Sequence, residues 1–429
     1  SEMEKEQLVY DVKLSSVGPG KVSGFNTSVS PENADLAMKL HYVKGVYYFG
    51  REAFEGVTVQ DIKDPTFVWL NKYPVHCGRF RRDHPSERPY IKCNDCGVRF
   101  VEATCGKTLQ EWFEMEGDER LLSSGQILGP ELKFSPLVYI QLTKFKCGSV
   151  AVGLSWAHVL GDLFSAVDFM NDWGRTVAGL QIGQPVDFIN QSAKPKLSNA
   201  STSFKDPLSI KRVDPVGDNW IHSPNCRMRV VSFRIPPAQL SLLRAKLQVK
   251  ATFESVAAVI WKCIARIRGR EKEQRVVTVC KKNDDRDGDR RKRILNNTQI
   301  VSVARADFPV IDAECGELVS LLMEDLVDER VKIGEAVERS YGLADFVVYG
   351  ANLSFVNLED TNLYGFEYNG QKSIRASYHI DGVSENGAIV VHPESSSGGG
   401  GGGRTVVAIL PENEAIELKL EMKKEGLLI

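Results

Sequence analysis

The chain has 429 residues and no apolar run that approaches the ~20 residues a membrane-spanning helix needs. Any membrane association is therefore expected to be peripheral or through a partner. No GxSxG elbow supplies a nucleophilic serine, and neither a Walker loop nor a GxGxxG fingerprint is present. These absences argue against a covalent serine mechanism and against nucleotide-binding folds of the common kinds. Charge of one sign is also missing. Lys and Arg nearly balance Asp and Glu, leaving a formal net charge of -2, so bulk electrostatics gives no reason to expect nucleic acid as a partner. The nine cysteines are odd in number and thinly spread, which fits reduced thiols and a cytosolic environment better than a disulfide framework. Cys93-Asn-Asp-Cys96 has the spacing of half a zinc site, with His76, Cys77, His84 and Cys105 nearby. The second CxxC or HxxxH is missing, so no metal is expected there. The opening Ser1-Glu2-Met3-Glu4 is polar and acidic, unlike a secretory signal, and Met3 reads as the natural start.

Histidine is scarce as well, with seven in the chain, and one of them stands in the most informative stretch. Cys147 to Gly174 begins as an apolar run, reaches His158, continues to Asp162 four residues on, and ends in an amphipathic segment from Leu163 to Trp173. This reads as a buried strand, a histidine turn and a helix. By itself such a histidine is most simply a packed, hydrogen-bonded residue. The functional reading is a general base, because a neutral imidazole can take a proton from an attacking hydroxyl or amine. Asp162 would orient it or brace the turn.

Around this stretch the pattern is mixed α/β or α+β in two comparable halves. Strands are expected at Gln7–Leu14, at Leu36–Tyr48 running into a turn at Gly45, at Leu137–Phe145 and Ser149–Ser155, at Arg227–Ile235, at Val276–Cys280, at Phe346–Phe355, from Val390 onward and at Thr405–Leu410. Two short strands flank Asn94-Asp95. Helices are expected at Phe67–Tyr73, Leu109–Glu116, Ala238–Leu247, Val256–Arg268, Glu314–Val331 and Glu412–Lys424. From Gly179 to Asn225 prolines punctuate a stretch without periodicity, read as a long crossover. The resulting division is a first domain over 3–185, a linker over 186–225 and a second domain over 226–429. Lys281 to Arg293 offers Asn283, Asp285, Asp287 and Gly288 at EF-hand offsets, but Ile294 stands where a bidentate Glu is required, so calcium is rejected. The Ser395–Gly403 run reads as a loop between strands.

HxxxD after a strand, a proline-rich crossover and a second half of equal size resemble the BAHD family of plant CoA-dependent acyltransferases. Closer motifs narrow the resemblance to its eceriferum/Glossy2 branch. They are LAMKLHYV at Leu36–Val43, GPELKFSP at Gly129–Pro136, FKCG at Phe145–Gly148, GLSWAHVLGD at Gly153–Asp162 and YGANLSFVNL at Tyr349–Leu358.

The resemblance implies two chloramphenicol-acetyltransferase-like domains with a channel at their interface. It implies His158 as general base facing that channel, and Asp162 as a structural residue turned away toward a cation. Family enzymes usually read HxxxDG, and here Leu163 follows the aspartate. Their second signature, DFGWG, falls at Leu363-Tyr-Gly-Phe-Glu367, where Gly365 is the remnant of a loop that lines the CoA channel. The wax branch implies a different role. It would be an accessory protein of very-long-chain fatty-acid elongation for cuticular wax, acting with a 3-ketoacyl-CoA synthase on the cytosolic face of the endoplasmic reticulum. On that reading no cofactor is required, and acyl-CoA, CoA or the acyl chain is the ligand. The alternative is a working CoA-dependent acyltransferase that uses His158 on a hydroxyl or amine acceptor.

Overall fold

The computed structural model describes residues 7–123, 132–180, 204–284, 294–395 and 402–429. The strands of its two large sheets are, in chain order, β1 (Val9–Val17), β2 (Tyr42–Phe49), β3 (Val98–Cys105), β4 (Val138–Phe145), β5 (Val150–Ala157), β6 (Met228–Ile235), β7 (Val276–Lys281), β8 (Ile300–Arg305), β9 (Val327–Asp328), β10 (Leu353–Asn357), β11 (Arg375–Asp381), β12 (Ala388–Pro393) and β13 (Arg404–Pro411). The first sheet runs β1-β3-β4-β5-β2-β11, and the second runs β6-β13-β12-β10-β7-β8-β9. The edge strand β11 of the first sheet thus comes from the C-terminal half. It pairs antiparallel with β2, from Arg375 opposite Tyr48 to Asp381 opposite Tyr42.

The main helices are α1 (Val59–Trp69), α2 (Leu163–Val177), α3 (Pro237–Leu247), α4 (Thr252–Arg268), α5 (Cys315–Glu324), α6 (Arg330–Arg339) and α7 (Glu412–Lys424). Among the described residues no helix is long and apolar enough to cross a membrane. The second sheet is buried on both faces. Phe355, Ile389, Val391, Val406 and Ala408 pack with α4 in one core, while Val356, Val390 and Val407 join the core of the first half. Alternation between two apolar environments makes these strands read as continuous hydrophobic runs.

Several expectations are corrected. The strand β2 passes straight through Gly45, where a turn was expected. A Cβ there would lie 2.5 Å from the ring of Tyr378 on β11, so glycine admits the neighbouring strand's side chain. The first long helix starts at Val59, not Phe67. Thr58 and Asp61 form a capping box there, and Pro65 inside the helix hides it from a periodicity reading. The expected helix over Glu314–Val331 is two helices, because Val327 and Asp328 are drawn into the sheet opposite Val303 and Ser302. The expected strand at Phe346–Phe355 is also two pieces. Asp345–Val347 pairs with Lys211–Val213, β10 joins the second sheet, and Gly350 at φ +86° turns between them.

The crossover is not featureless over its described part. Trp220 is fully buried against Phe80, and its carbonyl accepts from the Tyr42 hydroxyl at 3.0 Å. Residues 285–293, which hold most of the EF-hand-like run, 181–203 of the crossover, 124–131 before the Leu132 turn, and 396–401 of the glycine loop lie outside the described residues.

A buried ion pair locks the halves beside this tryptophan. Lys39 Nζ lies 2.6 Å from Asp345, and both side chains are almost inaccessible. The other oxygen of Asp345 accepts from Val216 N at 2.8 Å, so one carboxylate ties the first half, the crossover and the second half. Breaking such a pair from one side leaves an uncompensated buried charge. Asp345→Ala is expected to cost about 3–5 kcal/mol in urea unfolding. The double change Lys39→Met with Asp345→Leu is expected to recover most of that loss.

Candidate active site

The site is built where β5 ends. Ala157 is its last residue, His158–Leu160 form a single 3-10 turn, and Asp162 is the N-cap of α2. Asp162 is buried, and its carboxylate is shared between the two halves. One oxygen accepts from Ser165 N at 3.0 Å and from Ser165 Oγ at 3.1 Å. The other accepts from Thr298 N at 3.1 Å and Gln299 N at 2.9 Å, on the loop that leads into β8. Gly161 and Asn296 complete the joint through Asp162 N to Asn296 O and Asn296 N to Leu160 O, each 3.0 Å. A carboxylate that accepts several backbone N–H groups at a helix N-terminus is in the environment that best stabilises its charge. None of these bonds goes to His158.

This joint delivers Asn297 to the histidine. Asn297 Nδ2 donates to Asp35 Oδ1 and to the carbonyl of His158, both at 2.9 Å. Its Oδ1 therefore faces His158 Nδ1 as an acceptor, 2.9 Å away. That assigns the proton of the neutral ring to Nδ1 and leaves Nε2 as an acceptor. Nε2 lies 2.8 Å from the Tyr349 hydroxyl, which in turn receives a bond from Gln299 Nε2 at 2.9 Å. His158 has no solvent exposure. Burial pulls its pKa down from 6.5 to about 4, with the Asn297 bond offsetting part of the effect. Burial also drives the Tyr349 hydroxyl well above its ordinary pKa, so it stays a neutral phenol. His41 supports Tyr349 from below. Its Nε2 accepts from Val348 N at 2.9 Å, and its ring lies edge-on to Tyr349.

In chemical terms this is a histidine in the tautomer a general base requires, with its basic nitrogen already occupied by a phenol of the same chain. The side chains that decide this are Tyr349, Asn297, Gln299 and His41. His41 and Tyr349 stand inside motifs that sequence reading singled out, yet neither was assigned a role. Asn297 and Gln299 carry no local signal, since they reach the site only through the loop on Asp162.

Comparison with known proteins gives the family. Residues 30–294 match the family model described as the Transferase family. The chain is 38% identical over 423 residues to the Arabidopsis thaliana protein ECERIFERUM 26-like, covering 98% of this chain and 96% of that one. It is 35% identical to Arabidopsis ECERIFERUM 2, covering 96% and 98%. This chain belongs to the BAHD transferase family. Its fold is also that of vinorine synthase, with a TM-score of 0.70 and 17% identity over 98% of each chain. TRI101 of F. sporotrichioides, solved with coenzyme A and T-2, matches at a TM-score of 0.69 and 12% identity, covering 92% and 97%.

The second BAHD signature is altered in a way the packing explains. Leu363 and Phe366 are fully buried at the positions of its aspartate and tryptophan. Phe366 packs edge-on to Tyr47 and Phe49 and lies over Gly174 of α2, where a Cβ would collide with its ring. Gly365 abuts Asn362 and Asn171, and Asn171 donates to the Asn362 carbonyl at 2.8 Å. Asn171 is nine residues, about 13 Å, along α2 from Asp162, so Gly365 is not brought to His158.

Two outcomes follow from this arrangement. Asp162→Ala leaves three backbone N–H groups without their acceptor and is expected to lose about 3 kcal/mol in urea unfolding, with Asp162→Asn losing less. Five buried histidines, His41 and His76 at about 3 and His158, His379 and His392 at about 4, all titrate below the ordinary 6.5. The unfolded chain then binds more protons than the native one between about pH 6.5 and 4. Stability from these groups is full above pH 6.5 and falls on acidification. Each is expected to cost on the order of 1 kcal/mol at pH 5.5, so denaturant midpoints measured from pH 7.5 to 5.5 should drop steeply.

Proposed function

We propose that this chain is an accessory protein of very-long-chain fatty-acid elongation for cuticular wax synthesis. It acts beside a 3-ketoacyl-CoA synthase on the cytosolic face of the endoplasmic reticulum, peripherally and through that partner. The observation that carries this reading is the Tyr349 hydroxyl on Nε2 of a wholly buried His158. A base whose acceptor position is filled from within cannot take a proton from an external hydroxyl unless Tyr349 leaves. Removing the phenol from its bonds with His158 and Gln299 would also strand buried polar groups. The buried Leu363, where BAHD enzymes carry a charged residue in their second signature, supports the same reading. In this role no cofactor is required, and acyl-CoA or the acyl chain is the ligand handled together with the partner.

The second reading is a CoA-dependent acyltransferase with His158 as base. It is favoured by one feature, the Nδ1-protonated tautomer held by Asn297. Co-expression with a condensing enzyme, followed by acyl-chain profiling, separates the two. His158→Ala is expected to leave the longest chains at their unaltered level. Their loss with a folded His158→Ala protein would replace the accessory reading with the catalytic one.

A further inference from the structure

A cavity of about 600 Å³ opens between the first sheet and the edge of the second, lined by Tyr48, Trp112 and Phe113 on one side and by β6 on the other. It is not the histidine site. Tyr48 lies six residues along β2 from Tyr42, which pairs with Ala157 beside His158, a separation of about 20 Å.

Its walls have two characters. Trp112, Phe113, Val230 and Ile374 present apolar surface. Ser373, just before β11, and Arg375 and Ser377 on it present polar groups to the same space. The Arg375 guanidinium is stacked on the Phe113 ring, 4.0 Å from its centroid. Among the described residues no carboxylate lies within ion-pair distance of it, although Glu394 and Glu119 are near enough to favour its charge, whereas several other charged groups of the wall are matched. Arg234 holds Glu394, and Glu116 holds Lys419 at 2.7 Å. Ser373 is 1% exposed, and its hydroxyl has no hydrogen-bond partner. The Ser377 hydroxyl instead lies against the Glu119 carboxyl and favours its charge, so those two groups serve each other. A buried hydroxyl left unpaired, as at Ser373, is costly and marks a place where a ligand completes the set.

We propose that this cavity binds a monocarboxylate with an aliphatic body, its carboxylate on Arg375 and the Ser373 hydroxyl and its chain against Trp112, Phe113 and Ile374. A planar guanidinium fixed by stacking is suited to a carboxylate. The neighbouring Glu119 carboxyl, which accepts from Tyr48 at 2.9 Å, opposes any anion here and a doubly charged phosphate more than a singly charged carboxylate. The apolar wall selects a body that gains by leaving water. The inference does not rest on the elongation role, since binding is read on the purified chain and that role from acyl chains made in cells.

Isothermal titration of the full chain with decanoate, decanol and decyltrimethylammonium tests it. Decanoate is expected to bind saturably at one site, and the other two far more weakly. Arg375→Leu is expected to weaken decanoate roughly tenfold or more, Arg375→Lys less, and Lys332→Ala, on α6 away from the cavity, hardly at all. Equal binding of decanol, no saturable binding of decanoate, or indifference to a folded Arg375→Leu overturns the proposal. Should Arg375→Leu fail to fold, the three ligands on the unaltered chain still decide it.

Discussion

The Asp162 carboxylate is the point on which the candidate site depends. It is buried and charged, so it must be satisfied by groups brought to it. Those groups come from both halves, Ser165 at the start of α2 and the backbone of Thr298 and Gln299 before β8. The loop it captures carries Asn297 and Gln299 into the interface. Asn297 then sets the His158 tautomer, and Gln299 orients the Tyr349 hydroxyl. The Asp162 bonds, with the Asn296–Leu160 and Asn297–Asp35 bonds beside them, hold both amides at the histidine.

The same joint explains why an intact HxxxD need not mean an open site. The sequence pattern concerns one strand, one turn and one helix. Whether His158 meets an acceptor depends on Tyr349, which lies 191 residues away and arrives on the turn between two strands of the other half. The altered second signature is a packing feature of the same interface. Phe366 fills the space over Gly174, and Leu363 is buried where a charged side chain would need a partner. At Leu363 an apolar side chain stands in place of a charged one, and at Phe366 one aromatic ring stands in place of another, packed against Trp173 of α2.

The strand β2 connects this sealed site to the cavity near Arg375. Its Tyr42 end sits beside His158 and the buried crossover tryptophan, and its Tyr48 end forms a cavity wall. The partner β11 makes the same passage in the opposite direction, from Arg375 to Asp381. A strand donated by the C-terminal half therefore carries residues of both places, which is a rigid link between them rather than a flexible one.

Much of the architecture was legible in the chain itself. The alternation in Leu137–Phe145 and Arg227–Ile235, the amphipathic repeat of Val256–Arg268 and the HxxxD motif are local patterns, and local patterns survive in the fold because side-chain period decides which face is buried. The family resemblance, likewise, was carried by contiguous motifs. What the tertiary structure alone decided is everything that required two distant segments to meet. Val327 became a strand because Val303 lay beside it, and Gly45 stayed in a strand because Tyr378 lay over it. Asp162 bound backbone groups of residues 298 and 299, and Tyr349 closed on His158. No periodicity records such contacts, since their free energy comes from groups far apart in sequence and is realised only once both are buried together.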